Sequence, residues 1–262
     1  SGFLRVSANV TYKATCDITR AMEYFNVTER EIEERMFNIF VGISLGNKLL
    51  TPELCRHYVS WAHTHTNRDA VILIADKIDR VNWEVFRGLS PEEAVQKVEQ
   101  KAYGVAGMFD KARRTLARET GDMGYISHLH IIFWEDVENW GYRELRDILV
   151  HEYEKNTAFQ EAVQYFVSAY IKMRGAEVSK EDRHRLAGYI IAELPTLLGG
   201  LYWDRTLYNL ILYPTYVESG MSEFVLDIRG GKYFDANKLK LRQLCVLVED
   251  YLEKPAPEEL DR

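Results

Sequence analysis

A serine set between two glycines, in Gly42-Ile43-Ser44-Leu45-Gly46-Asn47, is the first segment of this chain whose residue types could do chemistry. Glycines let the backbone turn sharply and let a substrate approach closely, so a serine between them can present its hydroxyl beside backbone N–H donors. That is the setting of a nucleophile that accepts an acyl group and passes it on. The second such segment is Tyr189-Ile190-Ile191-Ala192-Glu193-Leu194-Pro195. Tyr189 and Glu193 stand four residues apart, so on a helix both side chains project from one face. Ile190, Ile191 and Leu194 make their surroundings apolar, and burial raises a carboxylate's pKa toward the range useful to a general base.

Each segment also has a plainer reading. Gly42-x-Ser44-x-Gly46 is a match to the nucleophile elbow of α/β-hydrolases. Only 43 residues precede the serine, however, and the last histidine, His184, has nothing suggestive around it to complete a triad. A glycine-rich turn with a capping serine is equally compatible with the motif alone. Glu193 and Tyr189 read alone are a surface acid and a half-buried ring.

The elements that must position these residues are legible from pattern. Asn38 to Ser44 is short, apolar and β-branched, which predicts a buried strand delivering Ser44 at its exit. AVILIAD, ending at Asp76, is apolar almost throughout, as in a parallel sheet buried on both faces. HLHIIFW (128–134) and LYNLILY, ending at Tyr213, are further strand candidates. Thr28 with Glu31 forms a capping-box pattern, Thr51-Pro52 opens a helix through Trp61, and Ser90-Pro91-Glu92-Glu93 opens one toward Thr120 that Gly104 and Gly107 could break. Helical patterns follow from about Tyr142 to Arg174, from about Lys180 to Leu197, and from about Asn237 to Glu253, with Pro195 expected to bend or close the second. Strands alternating with helices predict an α/β fold: a single Rossmann-like domain over 1–262, a parallel sheet with helices on both faces, and a frayed tail over 254–262.

Composition narrows the class. The chain has 262 residues, 47% hydrophobic and 28% charged, ordinary values for a globular protein, and no apolar run approaches the roughly 18–20 residues of a membrane span. No basic n-region leads an apolar stretch at the start, so secretion has no support and the cytoplasm is expected. Cys16, Cys55 and Cys245 are odd in number and far apart, which fits neither a disulfide framework nor a zinc site. His63-x-His65 and His128-x-His130 lack an evident third ligand, so no metal is expected. A net charge of −7 means that any nucleic-acid surface must be a local basic patch.

Taken together and in order, the two motifs resemble the cyclodipeptide synthases, which carry an apolar strand ending Gly-[Leu/Val/Ile]-Ser and later Tyr-[Leu/Val/Ile]-x-x-Glu-[Leu/Val/Ile]-Pro. The separation matches, a tyrosine follows the glutamate by twenty residues at Tyr213, and AVILIAD and the long helix after it keep the family's order. Two departures stand out. Asn38 occupies the place of the family's usual histidine, which bears on local support rather than chemistry. Tyr213-Pro214 resembles the Tyr-Pro subgroup, although Asn47 belongs to the other subgroup's signature.

The resemblance implies a fold similar to the catalytic domains of tyrosyl- and tryptophanyl-tRNA synthetases, and two aminoacyl-tRNAs as substrates joined into a cyclic dipeptide. It implies no cofactor, because the ester already carries the driving force, and nothing demands more than a monomer. Ser44 would carry first an aminoacyl and then a dipeptidyl group. Tyr189 and Glu193 would bind the first residue's ammonium, with Glu193 also moving protons, Tyr213 would assist cyclisation, and Asn47 would orient the bound backbone. Phe40 and Gly42 share the Ser44 side of their strand by the period-two rule, and Ile72 with Ile74 alternates similarly on the next. These are candidates for the side-chain pocket, with plain core packing the equal alternative. On the helix from Pro91, Lys97, Lys101, Lys111 and Arg118 fall within roughly a 100° arc, with Arg114 at its edge. The family resemblance implies that this face holds tRNA; Glu93 shares the arc, and a solvated charged face is the alternative. A serine hydrolase and a non-catalytic tRNA-binding module remain the competing functions.

Overall fold

A computed structural model describes residues 6–8, 19–48, 50–215 and 219–253. The chain runs β1 (Val6–Ala8), β2 (Thr19–Tyr24), α1 (Glu29–Glu33), β3 (Ile39–Ser44), α2 (Pro52–His65) and β4 (Ala70–Ala75). A short 3-10 turn (Lys77–Asp79) leads to α3 (Arg80–Arg87), α4 (Pro91–Thr120), α5 (Gly124–Ser127), β5 (Leu129–Phe133), α6 (Trp134–Val137), α7 (Trp140–Lys155) and α8 (Thr157–Arg174). Then come α9 (Lys180–Gly199), β6 (Leu201–Trp203), β7 (Thr206–Tyr208), β8 (Leu210–Thr215), α10 (Met221–Arg229) and β9 (Val246–Glu253).

Among the described residues one sheet has seven strands in the order β1-β2-β9-β8-β3-β4-β5. β9, β8, β3, β4 and β5 are mutually parallel, while β2 joins β9 and β1 joins β2 antiparallel. The expected parallel sheet is therefore the centre of a mixed one. Helices cover both faces. On one, Phe40, Leu73, Ile132 and Ile211 pack against α7, α8, α9 and α10. On the other, Ile39, Val41, Ile43 and Ile72 pack against α2 and α4.

Local chemistry explains the boundaries. Thr28 with Glu31 and Ser90 with Glu93 close reciprocal capping boxes, and Thr51 caps α2 ahead of Pro52. Gly104 and Gly107 do not break α4, because Ala102, Phe109, Ala112 and Leu116 are buried at helical spacing and tertiary packing outweighs the cost of two glycines. The single helix expected from Tyr142 to Arg174 is two, since Asn156 is non-helical (φ −113°, ψ 108°) and its side chain caps α8 by accepting from the Phe159 N–H. Pro195 does not end α9, which continues to Gly199 with Leu197 and Leu198 buried. The helix expected over 237–253 is wrong: a 3-10 turn spans Ala236–Leu239, and 246–253 is strand β9. Within that strand Glu249 and Asp250 are buried, with Ser222 Oγ donating to Glu249 at 2.7 Å. The tail over 254–262 and Cys16 lie outside the described residues; Cys55 and Cys245 are unpaired and buried.

Candidate active site

Ser44 is the last residue of β3, which lies between β8 and β4, so the hydroxyl stands at the carboxyl edge of the sheet's parallel centre. Ligands bind at that edge in open α/β sheets. The chain turns at once: Asn47 N–H donates to the Ser44 carbonyl at 3.1 Å, and Gly46 N–H donates to Ser44 Oγ at 3.2 Å. A backbone donor on Oγ leaves its own proton free to move and favours charge on the oxygen.

The face that carries Ser44 is bounded by register. Phe40 pairs with Ile211 on β8, and Gly42 and Ser44 pair with Leu73 and Ala75 on β4. A Cβ at Gly42 would sit 3.2 Å from Ile211 Cδ1 and 3.6 Å from Tyr213 Cδ2, so the glycine leaves room for the neighbouring strand's side chains. A narrow cavity opens here, lined by Phe40, Gly42, Ile43, Ser44, Leu73, Ala75, Trp134, Glu193, Thr196, Leu197, Ile211 and Tyr213. The structure thus brings Ser44, Glu193, Tyr213, Phe40 and Gly42 to one cavity. Asn47 stands in the turn just beyond Ser44.

Ile72 and Ile74 are not there. In a parallel pair, residues in register share a face, and Ile72 and Ile74 pair with Val41 and Ile43. They pack instead against the α2 and α4 side. The alternation expected on β4 is correct in period and wrong by one residue in phase. All six β4 residues are buried, so hydrophobicity could not reveal which set faces the site. Leu73 and Ala75 take the places assigned to Ile72 and Ile74. Trp134, Thr196 and Leu197 come from α6 and α9 and carried no motif.

α9 brings Glu193 over the strand ends. Tyr142 Oη donates to the Ala192 carbonyl at 2.7 Å and receives Trp134 Nε1 at 3.3 Å, which ties the helix to the strand side at the residue before the glutamate. Glu193 is only 8% exposed. Burial pushes its carboxyl up to about 7; a hydrogen bond from Tyr189 works against that rise, and the charge of Asp79 adds to it. Tyr189 stacks on Tyr170, with ring centroids 6.1 Å apart. Tyr213 is pushed well above its ordinary value, first by the Glu193 charge and then by burial. Neither tyrosine is a base near neutral pH; each is a hydroxyl that donates or relays.

A larger cavity of about 560 Å³ lies on the other flank of α9, lined by Trp140, Tyr142, Pro195, Gly199, Tyr202 and others. It contains none of Ser44, Tyr189, Glu193 or Tyr213, whereas Ser44, Glu193 and Tyr213 line the smaller one. Among the described residues no histidine lines the smaller cavity, and a Ser-His arrangement is absent from it.

On α4, Lys97, Lys101, Lys111, Arg114 and Arg118 are all exposed, and the unbroken helix keeps their phase. Arg114 is engaged with Asp110 at 2.8 Å, whereas Lys101 lies over the Trp83 ring, 5.4 Å from its centroid. Asn38 supports the site from below: its Nδ2 donates to the Leu207 carbonyl and its Oδ1 accepts from Arg68 and Asp69 N–H. His128 and His130 both approach Asp69, at 3.1 and 3.5 Å, but no group of three or more side chains able to hold a metal occurs among the described residues.

The cyclodipeptide synthase family profile matches residues 22–202, about two thirds of the chain and the span from β2 to β6. The chain belongs to the cyclodipeptide synthase family. It is accordingly an aminoacyltransferase of the tRNA-dependent kind that defines the family. No protein of curated function matches it. Solved structures do. A cyclodipeptide synthetase from Mycobacterium tuberculosis, described as related to type I tRNA synthetases, is 17% identical over 93% of this chain and 98% of its own, with a TM-score of 0.63. A cyclodipeptide synthase from Staphylococcus haemolyticus is likewise 17% identical, over 89% and 98%, with a TM-score of 0.63. One from Candidatus Glomeribacter gigasporarum, solved bound to Phe-tRNA, is 15% identical over 80% and 86%, with a TM-score of 0.51. Those likenesses give this synthase the Rossmann-like fold of its family. Among the described residues, none of its helices is long and apolar enough to cross a membrane.

Proposed function

We propose that this synthase joins two aminoacyl groups, each delivered on tRNA, into a 2,5-diketopiperazine through two successive esters of Ser44. The observation that carries the reading is that Ser44, Glu193 and Tyr213 line one cavity, with Tyr189 hydrogen-bonded to Glu193. In the first step Ser44 Oγ forms a bond to the ester carbonyl carbon, the bond from that carbon to the terminal ribose oxygen breaks, and the serine proton ends on the ribose oxygen. The amine of a second aminoacyl-tRNA then attacks the Ser44 ester. Serine leaves as its alcohol and a dipeptide esterified to the second tRNA results; Ser44 Oγ then attacks that ester, the bond to the second ribose oxygen breaks, the serine proton ends on that oxygen, and the dipeptidyl group is left on Ser44. Finally the dipeptide's own amine attacks that ester, closes the six-membered ring and frees Ser44. The balance is two aminoacyl-tRNAs in, one cyclic dipeptide and two tRNAs out, with no further reactant.

Glu193 binds the ammonium of the first residue and accepts its proton when that nitrogen must attack, which is the work a carboxyl titrating near 7 suits. Tyr189 orients it, and Tyr213 relays the proton at cyclisation. Asn47 orients the bound backbone. Phe40, Gly42, Leu73 and Ala75 bound the first side chain. The α4 face bearing Lys97, Lys101, Lys111, Arg114 and Arg118 holds tRNA backbone, and Tyr213-Pro214 places the chain with the Tyr-Pro subgroup. The test is expression in a bacterium with mass spectrometry of the medium. Diketopiperazines that vanish in Ser44→Ala support the reading, and a medium without any overturns it.

A further inference from the structure

Beside Ser44 lies a second cluster that the acyl chemistry does not use. Arg174 ends α8 with its guanidinium stacked over Phe86 and Tyr170, 4.9 and 4.8 Å from the ring centroids, and it donates to Tyr170 Oη at 2.5 Å. A Cβ built on Gly46 would lie 3.5 Å from Ser44 Oγ and 3.7 Å from Arg174 Nη2, so the nucleophile and the guanidinium are within about 7 Å of each other. Below them Asp79 is buried at 5% exposure and accepts from Asn82 Nδ2 at 2.7 Å and Trp83 Nε1 at 2.9 Å. Lys101 rests on that same Trp83 ring.

Lys48, Arg87, Lys101 and Arg174 are all exposed, and they come from the β3–α2 loop, α3, α4 and α8. Among the described residues none has a carboxylate within ion-pair distance. Lys48, Arg87 and Arg174 are nonetheless close enough to act on Lys101. Burial lowers the Lys101 pKa, Arg174, Lys48 and Arg87 lower it further, and Asp79 alone opposes them. Four cations from four elements, Lys101 and Arg174 acting on the buried Asp79 and Lys48 and Arg87 on Lys101, concentrate positive charge beside Ser44 in a protein of net charge −7.

We propose that Lys48, Arg87, Lys101 and Arg174 grip the phosphates of the single-stranded 3′ end of aminoacyl-tRNA, with Asp79 fixing the platform on which Lys101 rests. This rests on the synthase reading and adds to it the place where the last nucleotides lie. The reacting ester hangs from the terminal ribose, and the charges nearest that ribose are its phosphodiesters. A stacked guanidinium loses little freedom on engaging a phosphate, and four exposed cations can track a strand without reading its bases.

Calorimetric titration of the full chain with the trinucleotide CpCpA and with adenosine tests this without any chemistry. Wild type should bind CpCpA at least about tenfold more tightly at low salt, with a slope of log affinity on log salt near −1.4, about 0.7 for each of two single-strand phosphates. Lys48→Ala, Arg87→Ala and Arg174→Ala should each shrink that preference severalfold and flatten the slope while leaving adenosine unaffected. Lys48 and Arg87 are exposed positions, so the test stands even if Arg174→Ala folds poorly. A wild type that binds the two ligands alike, or a preference that survives all three substitutions, overturns the proposal. Failure of the synthase reading would show separately, as no mass gain on Ser44 from aminoacyl-tRNA however well CpCpA binds.

Discussion

Two buried carboxylates lie close enough for the charge of one to act on the other, Glu193 lining the Ser44 cavity and Asp79 outside its lining, and their partners differ. Asp79 accepts from two N–H donors and has Lys101 and Arg174 nearby; Glu193 has a tyrosine hydroxyl and no cation that lowers its pKa. Burial raises both. Hydrogen bonds to the charged form and nearby cations oppose that rise at Asp79, so it suits an anchor. Glu193 lacks that counter-charge, and an arriving ammonium would supply it. The difference teaches how to separate a carboxylate that organises a site from one that works in it: compare what each still needs, not how deep each lies.

The largest effect should come from the proposed nucleophile. Ser44→Ala should abolish product and covalent intermediate, a loss on the order of 10³-fold or more, checked by intact-protein mass after mixing with aminoacyl-tRNA. Acyl-enzyme in that variant would remove Ser44 from the site.

Glu193→Gln separates the two acids directly. Turnover should fall on the order of 10²-fold while affinity for tRNA holds. Stability should move the other way. Glu193 binds its proton more tightly folded than unfolded, so the wild type loses stability as pH rises from 4.5 to about 7 and is flat above. The glutamine variant escapes that loss, by on the order of 3 kcal/mol at pH 8 and little at pH 4. Tm measured against pH checks it. A variant that gains nothing at pH 8 would mean that Glu193 titrates like an ordinary surface acid.

A pair of neighbours on β4 gives the next contrast. Leu73→Ala enlarges the cavity and should change which residues appear in the product, whereas Ile72→Ala opens a void on the α2 and α4 side and should cost about 2–5 kcal/mol with the product spectrum intact. Product analysis beside chemical denaturation distinguishes them. The smallest effect belongs to α4: replacing Lys97, Lys111 and Arg118 together by Ala should raise KM for both aminoacyl-tRNAs severalfold and flatten the salt dependence, leaving product identity alone. An unchanged KM would make that face a solvated one.

That Ser44, Glu193 and Tyr213 would come together was legible in sequence because each sits in a motif whose spacing survives without the fold. The caps at Thr28, Thr51 and Ser90 were equally local, each a side chain bonding to a backbone N–H three residues on. What escaped was non-local. The phase of β4 depends on register with β3, and a strand buried on both faces does not record it. The strand character of β9 escaped because Glu249 and Asp250 are charged yet buried, and only the fold supplies Ser222 Oγ to donate to Glu249. Arg174 is 130 residues from Ser44 and meets it across Gly46, held by stacking on Phe86 and Tyr170, a relation no window of sequence contains.

The place of β9 has a consequence for the order of assembly. The strand that holds Tyr213's strand on one side and β2 on the other is made last, with Thr19 paired to Glu253 and Tyr24 to Val248. At synthesis rates of about 5–20 residues per second, some 2–7 s separate the emergence of β8 from that of β9. Throughout that interval β8 has an open edge, a row of unpaired N–H and C=O groups that can accept another chain. Nascent chains halted before Val246 should therefore be cut by protease within β8 and associate with one another, and protection should come only with the last eight residues of the sheet. The reactive corner of this enzyme is thus closed late, by a segment that contributes none of its chemistry.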